Sequence, residues 1–469
     1  MKRGLSVAAA GGLAAVLAAP LFAQAQAPKI RLVTREVSLG KMRPGALLDT
    51  VAVSPDSRRV VYVVERGDKW LVVVDGVEGK EYDGIGEGTV VFSPDSGRVA
   101  YEAGRGSKRL VVVDDVEGKE YDGTGKGTLV FSPDSRRVAY EAGRGSRRFV
   151  VVDDVEGKEY DGIIGTLVFS PDSRRVAYAA GRGGKRLVVV DGVEGKEYDG
   201  IGDGSLLFSP DSTRVAYVAG QGGKQLIVVD GVEGKAYDGI VAPGPIFSPD
   251  STRVAYGAEQ GGKWFVVVDG AEGKQYEGIR DPGPLFSPDS RRVAYVAERA
   301  SKQFVVVDGV EGKEYDRTGK GSLLFSPDSR RMAYAAERGS KWLVVVDGVE
   351  GKEYDGIGKG TLVFSPDSRR VAYAAKRGRN SVVVVDGVQG KEYDGIGDGS
   401  LLFSPDSRRV AYGAWRGGKQ FVVVDGAEGK KYDVLLRGSR LVFDSPTALH
   451  GLAYRADEFF RVEVEIIEE

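Results

Sequence analysis

The amino-acid sequence predicts an all-β protein that folds as a β-propeller of four-stranded blades. Three observations lead to this prediction. A unit of 39 residues repeats along most of the 469-residue chain, each unit holds four short strand-like runs separated by turn residues, and the tyrosines recur at two fixed places in the unit. Four short strands in about 40 residues is the length of one propeller blade.

The string Ser-Pro-Asp marks the repeat. It occurs ten times, and eight of the nine intervals between consecutive copies span 39 residues while one spans 38. The aspartates of the ten copies are Asp56, Asp95, Asp134, Asp172, Asp211, Asp250, Asp289, Asp328, Asp367 and Asp406. The unit reads approximately TLVFSPDSRRVAYAAERGSKWLVVVDGVEGKEYDGIGKG. Such a regular array is typical of a repeat architecture rather than of separate domains.

Each unit divides into four predicted strands. The first, TLVF, ends at Ser-Pro-Asp-Ser, where proline suits the second position of a type I turn. The second, VAYAA, ends at a glycine-containing hairpin, and the third, LVVVD, is a β-branched run typical of a strand covered on both faces. The fourth is KEYDGI, followed by another glycine-rich turn. The 68 glycines of the chain therefore serve turns.

The 21 tyrosines fall into two columns, eleven in the second strand and ten in the fourth. The second-strand column runs from Tyr62 to Tyr454, and the fourth-strand column runs from Tyr82 to Tyr432. Because a ligand cage needs no copy in every blade whereas packing between blades does, we expect these rings, with the Phe92-to-Phe443 column, to form the core between blades.

The two ends of the chain predict how the ring closes. After the tenth unit an eleventh begins, with strands at 441–443, in LHGLAYRA and in FFRVEVEII, but it has no fourth strand. An unmatched apolar segment, 30–37, precedes the first unit. We expect this segment to complete the last blade, which gives about eleven blades and leaves no sheet edge open. Two smaller propellers and an open superhelix of blades are the alternatives.

The N-terminus has the pattern of a secretory signal peptide. Lys2 and Arg3 precede an Ala/Leu/Val run, and Ala23-Gln24-Ala25 fits a small-x-small cleavage site. We therefore expect a signal peptide at 1–25, an N-terminal segment at 26–45 and the propeller repeats at 46–469. A periplasmic or secreted protein follows, without a membrane span once the signal is cleaved.

Composition excludes several classes of site. The formal net charge is −2, which gives neither a nucleic-acid-binding field nor a polybasic membrane patch. The chain has no cysteine, which rules out a disulfide, a thiolate zinc site and an iron–sulfur cluster. We expect no cofactor and no metal, and we expect a monomer.

Catalytic motifs are missing from the sequence. The sole histidine, His450, would have to serve any Ser-His-Asp triad, and a histidine in a turn or on the surface is the simpler interpretation. The segment Gly123–Thr128 does not fit a phosphate-binding loop, since glycine follows its lysine and a strand follows the loop. The carboxylates recur in every unit, whereas acid–base pairs need two different environments. We therefore expect the protein not to be an enzyme.

The repeat also resembles a known group. FSPDS followed by RRVAY and then VVVDG is similar to the WD40-like PD40 repeat of TolB-type propellers and of the N-terminal propellers of prolyl-oligopeptidase-like (S9) peptidases. The resemblance covers Ala46 to about Tyr454 and implies the blade type. It does not extend to TolB's α/β domain, since only about 20 residues separate the predicted signal peptide from the first blade. It does not extend to the peptidases' hydrolase domain either, since the chain has no G-x-S-x-G motif. Neither group's activity is therefore expected here.

The units differ mainly in the hairpin between strands two and three and in the loop that enters strand one. Alternation of strand direction places these two segments on one face of the ring. Arginine and aromatic residues are favoured in binding interfaces, and loops on a rigid scaffold are common binding sites. We therefore predict a partner-binding ring on this face, with neutral variation as the alternative. Its residues are Trp70, Arg109, Arg148, Arg186, Gln225, Trp264, Gln303, Trp342, Trp415 and Gln420.

These observations favour a non-catalytic, exported scaffold that binds a protein or a cell-envelope glycan. A regulatory propeller that belongs to, or partners, a peptidase or another hydrolase is the alternative. An amplified array with a purely structural role is a third possibility.

Overall fold

The computed structural model describes residues 29–280, 283–436 and 438–469, so the predicted signal peptide lies outside the described residues. The described chain forms 53 strands in eleven antiparallel sheets, and none of it is helical. Each sheet is one blade of four strands, which confirms the predicted eleven-bladed β-propeller. We number the blades along the chain, from blade 1, which begins at Ala46, to blade 11, which begins at Val434.

The first strand of each blade pairs on one side only, with the second strand. It is continuous in blades 1 and 4, as Ala46–Val53 and Gly162–Phe169. In the other blades it is split into two pieces: Gly84–Ile85 and Val91–Phe92, Gly123–Thr124 and Val130–Phe131, Gly200–Ile201 and Leu207–Phe208, Gly239–Ile240 and Ile246–Phe247, Gly278–Ile279 and Leu285–Phe286, Arg317–Thr318 and Leu324–Phe325, Gly356–Ile357 and Val363–Phe364, Gly395–Ile396 and Leu402–Phe403, and Val434–Leu435 and Val442–Ser445.

The second and third strands form the buried middle of each blade. The second strands are Val60–Arg66, Val99–Arg105, Val138–Arg144, Val176–Arg182, Val215–Gln221, Val254–Gln260, Val293–Arg299, Met332–Arg338, Val371–Arg377, Val410–Arg416 and Ala448–Arg455. The third strands are Lys69–Val74, Lys108–Val113, Arg147–Val152, Lys185–Val190, Lys224–Val229, Lys263–Val268, Lys302–Val307, Lys341–Val346, Asn380–Val385, Lys419–Val424 and Glu458–Glu468.

The fourth strand is the other edge of the blade. The fourth strands are Val77–Glu78, Val116–Glu117, Val155–Glu156, Val193–Glu194, Val232–Tyr237, Ala271–Glu272, Val310–Glu311, Val349–Glu350, Val388–Tyr393, Ala427–Tyr432 and, in blade 11, the N-terminal strand Ile30–Lys41. In the blades whose fourth strand has only two residues, the tyrosine further along the chain still pairs with the third strand through an isolated bridge, as Tyr82 does with Trp70.

The prediction of KEYDGI as one strand is wrong. The fourth strand ends at its tyrosine, and the Gly-Ile that follows begins the first strand of the next blade. Asp83 lies at this crossover, where its carboxylate accepts a hydrogen bond from Lys69 (2.6 Å) of blade 1 and another from the Gly106 N–H of blade 2. The aspartate thus joins the hairpins of two adjacent blades, so the run is divided between them.

Tyrosines fill the space between blades, as predicted. In nine successive interfaces a fourth-strand tyrosine meets the second-strand tyrosine of the next blade edge to face, with ring centroids 6.0–6.3 Å apart. Tyr82 with Tyr101 is the first such pair and Tyr393 with Tyr412 is the last. This geometry is the one that aromatic rings prefer, and each pair contributes about 0.5–1.5 kcal/mol beyond its buried area.

The second-strand column holds ten tyrosines rather than eleven. Tyr454 pairs with Val434, the place that Gly104 takes opposite Gly84 in blade 2, so Gly451 occupies the tyrosine position of blade 11. The Tyr454 ring instead lies 5.2 Å from that of Phe459. The turn before this strand differs from Ser-Pro-Asp-Ser, and the register therefore moves by three residues.

An arginine clamp repeats on the face that carries the Ser-Pro-Asp-Ser turns, which we call the clamp face. In blade 8, Nε of Arg331 donates to Asp347 (2.8 Å), and Nη1 donates to the carbonyls of Ser368 (3.1 Å) and Arg369 (2.7 Å) in blade 9. The same guanidinium lies 5.4 Å from the ring centroid of Phe364. One side chain therefore ties two blades together, and this explains why the turn and its arginine recur.

The seam between blades 11 and 1 closes the ring. Ile30–Lys41 pairs with Glu458–Glu468, as predicted for the segment 30–37, although the strand extends further, to Lys41. A buried cluster joins Tyr62 of blade 1 to Leu452 and Phe459 of blade 11. The N–H of Arg440 also donates to Ser57 (2.9 Å) across the seam. These contacts replace those of the other interfaces and give one ring rather than two.

Replacing Arg331 with lysine is expected to destabilise the ring by about 1–2 kcal/mol, because an ammonium cannot hold the aspartate, both carbonyls and the phenylalanine at once. Arg330→Lys is the matched control, since Arg330 is the exposed neighbour of the clamp. Denaturant unfolding measures both. Equal stability of the two variants would contradict the clamp.

Candidate functional site

The repeated carboxylates are occupied by structural contacts. Glu117 accepts hydrogen bonds from Arg105 (2.9 Å) of its own blade and from Tyr82 (3.2 Å) of the preceding blade. The Arg105 contact lowers the pKa of Glu117. In blade 8, a contact from Lys313 at 2.7 Å lowers the pKa of Glu350 to about 2. These carboxylates are thus engaged in contacts between adjacent blades.

The sole histidine is not a surface residue, so that expectation is wrong. His450 is 2% exposed and lies in the second strand of blade 11. Its Nδ1 is 2.7 Å from Asp444, and its Nε2 is 2.7 Å from the carbonyl oxygen of Asp56 in blade 1. The Nε2 contact crosses the seam to blade 1, and the Nδ1 contact lies within blade 11, so both ring nitrogens are engaged.

The described residues contain no cluster of three or more His, Asp or Glu side chains that could hold a metal ion. No helix of sufficient length and apolarity to cross a membrane occurs in the part of the chain that the structure describes.

The predicted partner-binding residues lie on the face opposite the clamp face, which we call the loop face because it carries the hairpins between strands two and three. All but Trp415 are the second residue of a third strand. Three of the ten are exposed, namely Arg109, Arg186 and Trp415. The other seven are half-buried: Trp70, Arg148, Gln225, Trp264, Gln303, Trp342 and Gln420. The structure arranges them around the ring, one in each of blades 1 to 8 and two in blade 10, and does not bring them into one cluster.

Each third-strand residue of this set faces a residue on the second strand, and the arginines and tryptophans each face one kind of residue. Arg109 faces Gly104, and a Cβ at Gly104 would collide with its guanidinium. Glycine likewise faces the arginine or glutamine of blades 3, 4 and 5. Tryptophan faces glutamate each time, in blades 1, 6 and 8. Glutamine, by contrast, faces a glycine in blade 5, a glutamate in blade 7 and a tryptophan in blade 10, so only the arginines and tryptophans have a fixed kind of partner.

The three glutamines also connect blades. The side-chain oxygen of Gln225 accepts a hydrogen bond from the N–H of Ile240 (2.7 Å), where the first strand of the next blade begins. Gln303 and Gln420 make the same contact with Thr318 (2.9 Å) and Leu435 (2.8 Å). These glutamines therefore have a structural role at the interface whether or not they also contact a partner.

A polar pocket between blades 2 and 3 breaks the repeat, and the sequence reasoning missed it. Glu102 and Glu141 stand in the second strands of these blades, at a position that is otherwise apolar or glycine. The equivalent residues are Val63, Ala179, Val218, Gly257, Val296, Ala335, Ala374, Gly413 and Leu452. The signal is VAYEA in two units, where most of the others read VAYAA, VAYVA or VAYGA.

Glu102 lines this pocket, which has a volume of about 260 Å³. Its side chain is 6% exposed, and Oε2 accepts a hydrogen bond from the Thr124 hydroxyl (2.7 Å) of blade 3. Arg109 and Lys126 also line the pocket, and Lys126 pairs with Glu87 at 3.1 Å. Burial raises the pKa of the Glu102 carboxyl above its ordinary value. The pocket therefore combines the buried acid with two cations and with two further carboxylates, Glu87 and Asp122.

Burial also raises the pKa of Glu141, and the charge of Glu102 adds to the effect. Unlike Glu102, Glu141 has a cation close by, since Nε of Arg148 lies 3.6 Å from its carboxylate. Blades 2 and 3 thus carry the same acid–arginine pair, but only in blade 3 does the arginine lie within contact distance of the acid.

Comparison with known proteins gives a likeness of fold only. No family model and no curated protein matches the chain. The solved structures that match include a eukaryotic initiation factor, 13% identical over 72% of this chain and 96% of that one, with a TM-score of 0.39. TolB from Acinetobacter baumannii is 15% identical over 57% of this chain and 80% of its own, with a TM-score of 0.26. The GH74 enzyme of Niastella koreensis is 10% identical over 89% and 90%, with a TM-score of 0.28.

Glu102→Gln is expected to stabilise the protein at pH 7.5 and to lose that advantage at pH 4. A carboxyl whose pKa is raised in the folded state favours folding below its unfolded pKa and loses that contribution as pH rises through the folded pKa. The amide keeps the acceptor for Thr124 and removes the buried charge. Thermal unfolding of variant and wild type at both pH values measures the difference.

Glu117→Gln is the control of opposite sign. The pKa of Glu117 is lowered, so this variant is expected to be less stable than wild type at pH 7.5 and to approach it at pH 4. A Glu102→Gln variant that gains nothing at pH 7.5, or gains equally at both pH values, would show that the buried carboxyl carries no charge penalty.

Proposed function

We propose that the protein is a non-catalytic, exported propeller scaffold that binds a protein or a cell-envelope glycan through its loop face. One property of the chain supports this most: residues that differ between blades collect on the loop face, while the clamp face repeats nearly unchanged. On the clamp face the serines, aspartates and arginines are engaged in contacts between blades. The residues that can change without disrupting the ring therefore lie mainly on the loop face.

The kinds of residue on the loop face suit recognition. Tryptophan and arginine are favoured at the centres of interfaces, and a rigid ring presents them with little loss of conformational entropy. Trp415 is 37% exposed, and Arg109 and Arg186 are also exposed. Trp264 and Trp342 are half-buried, which leaves an indole edge for a partner while the strand holds the side chain in place.

The absence of catalysis is part of the proposal and rests on the repeated chemistry. The glutamate that recurs in the fourth strand has similar partners in successive blades, and the pKa of several copies is lowered, as for Glu117 and Glu350. A catalytic acid and base require different environments within one cleft. His450 has both ring nitrogens engaged at the seam.

Replacing Trp264 and Trp342 together with alanine is expected to reduce partner capture at least about tenfold, because aromatic anchors contribute most of the energy of an interface. The measurement is recovery of bound protein and glycan when the purified chain is used as bait in a solubilised cell-envelope fraction. A second double variant, with glutamine at both positions, keeps a residue that blades 5, 7 and 10 already carry there.

Val193→Ser is the matched control, since Val193 is 72% exposed on the clamp face. It is expected to capture the partner as wild type does. Undiminished capture by both tryptophan variants would remove the loop face as the binding surface, and equal loss in Val193→Ser would move the surface to the clamp face.

A further inference from the structure

The pocket between blades 2 and 3 contains a buried acceptor that the protein does not use. Among the described residues nothing donates a hydrogen bond to Oε1 of Glu102, although the side chain is 94% buried. Its other oxygen is held by Thr124 at 2.7 Å. An unpaired carboxylate oxygen in such a place costs free energy unless a donor reaches it. Glu102 lines the pocket, but Oε1 has almost no surface open to solvent, so a donor in the pocket reaches this oxygen only when the carboxyl turns toward it.

Arg109 supplies the complementary charge on the wall of the same pocket. Within the described chain its guanidinium makes no hydrogen bond and no ion pair, and it is close enough to Glu102 to influence that carboxyl electrostatically. In blade 3 the equivalent Arg148 lies 3.6 Å from Glu141 and so occupies its acid. Blade 2 therefore keeps an acid and an arginine apart, each with unused hydrogen-bonding capacity.

These two groups define the chemistry of a ligand. A primary ammonium can donate to Oε1 of Glu102 and offset the burial of its charge, while a carboxylate can accept two parallel bonds from the Arg109 guanidinium. We infer that this pocket binds a small zwitterion of the α-amino-acid type, with its ammonium on Glu102 and its carboxylate on Arg109. The inference goes beyond the proposed partner binding and does not depend on it.

The rest of the lining favours a small and polar ligand. Gly86, Gly123 and Thr124 leave room without offering an apolar wall, and a cavity of about 260 Å³ is smaller than a typical drug-sized site. The lining has no aromatic ring on which a sugar could stack. A phosphate or another simple anion would meet the Glu102 carboxylate. An amino acid with a short side chain satisfies both charges.

Calorimetric titration of the purified protein with L-serine tests the inference, with two fragments of serine as comparisons. Ethanolamine lacks the carboxylate, and 3-hydroxypropanoate lacks the ammonium. We expect L-serine to bind and each fragment to bind about tenfold to a hundredfold more weakly, since each loses one charged pair of hydrogen bonds. Equal binding of L-serine and either fragment would overturn the zwitterion assignment, and no binding of L-serine would overturn the site.

Two variants locate the binding. Glu102→Gln keeps the shape of the side chain, and Arg109→Gln introduces the residue that blades 5, 7 and 10 hold at this position, so both are expected to fold. Each is expected to weaken L-serine binding by at least about tenfold. Glu141→Gln is the matched control in blade 3 and is expected to bind as wild type does.

The outcomes separate this site from the proposed function. Loss of L-serine binding in Glu102→Gln, with partner capture intact, supports the pocket alone. L-serine binding that survives both pocket variants would overturn it. The double variants of Trp264 and Trp342 lie in blades 6 and 8 and are expected to leave L-serine binding unchanged.

Discussion

Every blade has two apolar faces and must bury both against its neighbours, and this constraint governs the rest of the molecule. The repeated sheet is too small to form a core of its own, so its valines and alanines are covered only when blades stand side by side. Tyrosine pairs fill the space between sheets, and arginine clamps fix their spacing on one face. Stability therefore lies in the interfaces and is shared around the ring.

The same constraint explains where the sequence is free to change. Residues that touch the next blade recur because each interface needs them. On the loop face the hairpins are bound mainly through the backbone and through crossover aspartates such as Asp83. Side chains there can vary, provided that the facing strand compensates, as Gly104 does for Arg109. Within each repeat, the residues that build the closed ring therefore stay the same from blade to blade, while those on the loop face vary.

Much of the architecture could be predicted from the sequence because the same strand and turn pattern recurs in successive units. The blade, the count of eleven and the closing N-terminal strand all follow from spacing and from one unmatched apolar segment. Features that depart from the repeated pattern, or that depend on contacts with the next blade, could not be predicted in this way. Tyr454 was assigned to the tyrosine column because it follows Leu-Ala, but an irregular turn shifts its register. The end of the fourth strand is mispredicted because the division of KEYDGI depends on its Gly-Ile pairing with the second strand of the next blade.

The candidate sites show the limit of reasoning from a consensus. Treating all carboxylates as copies concealed Glu102 and Glu141, whose significance lies in departing from the unit. The sequence around His450 predicts a histidine in a turn or on the surface, yet the seam buries it. In both cases the informative residue stands where one blade differs from the others. Its environment is set by the adjoining blade, which the local sequence does not reveal.

Electron microscopy of the purified protein, viewed along the ring axis, tests the closed eleven-bladed ring most directly. The account predicts a single ring of eleven blades around one channel, with the seam indistinguishable from the other interfaces in outline. Two smaller rings, an open arc or a different number of blades would contradict it.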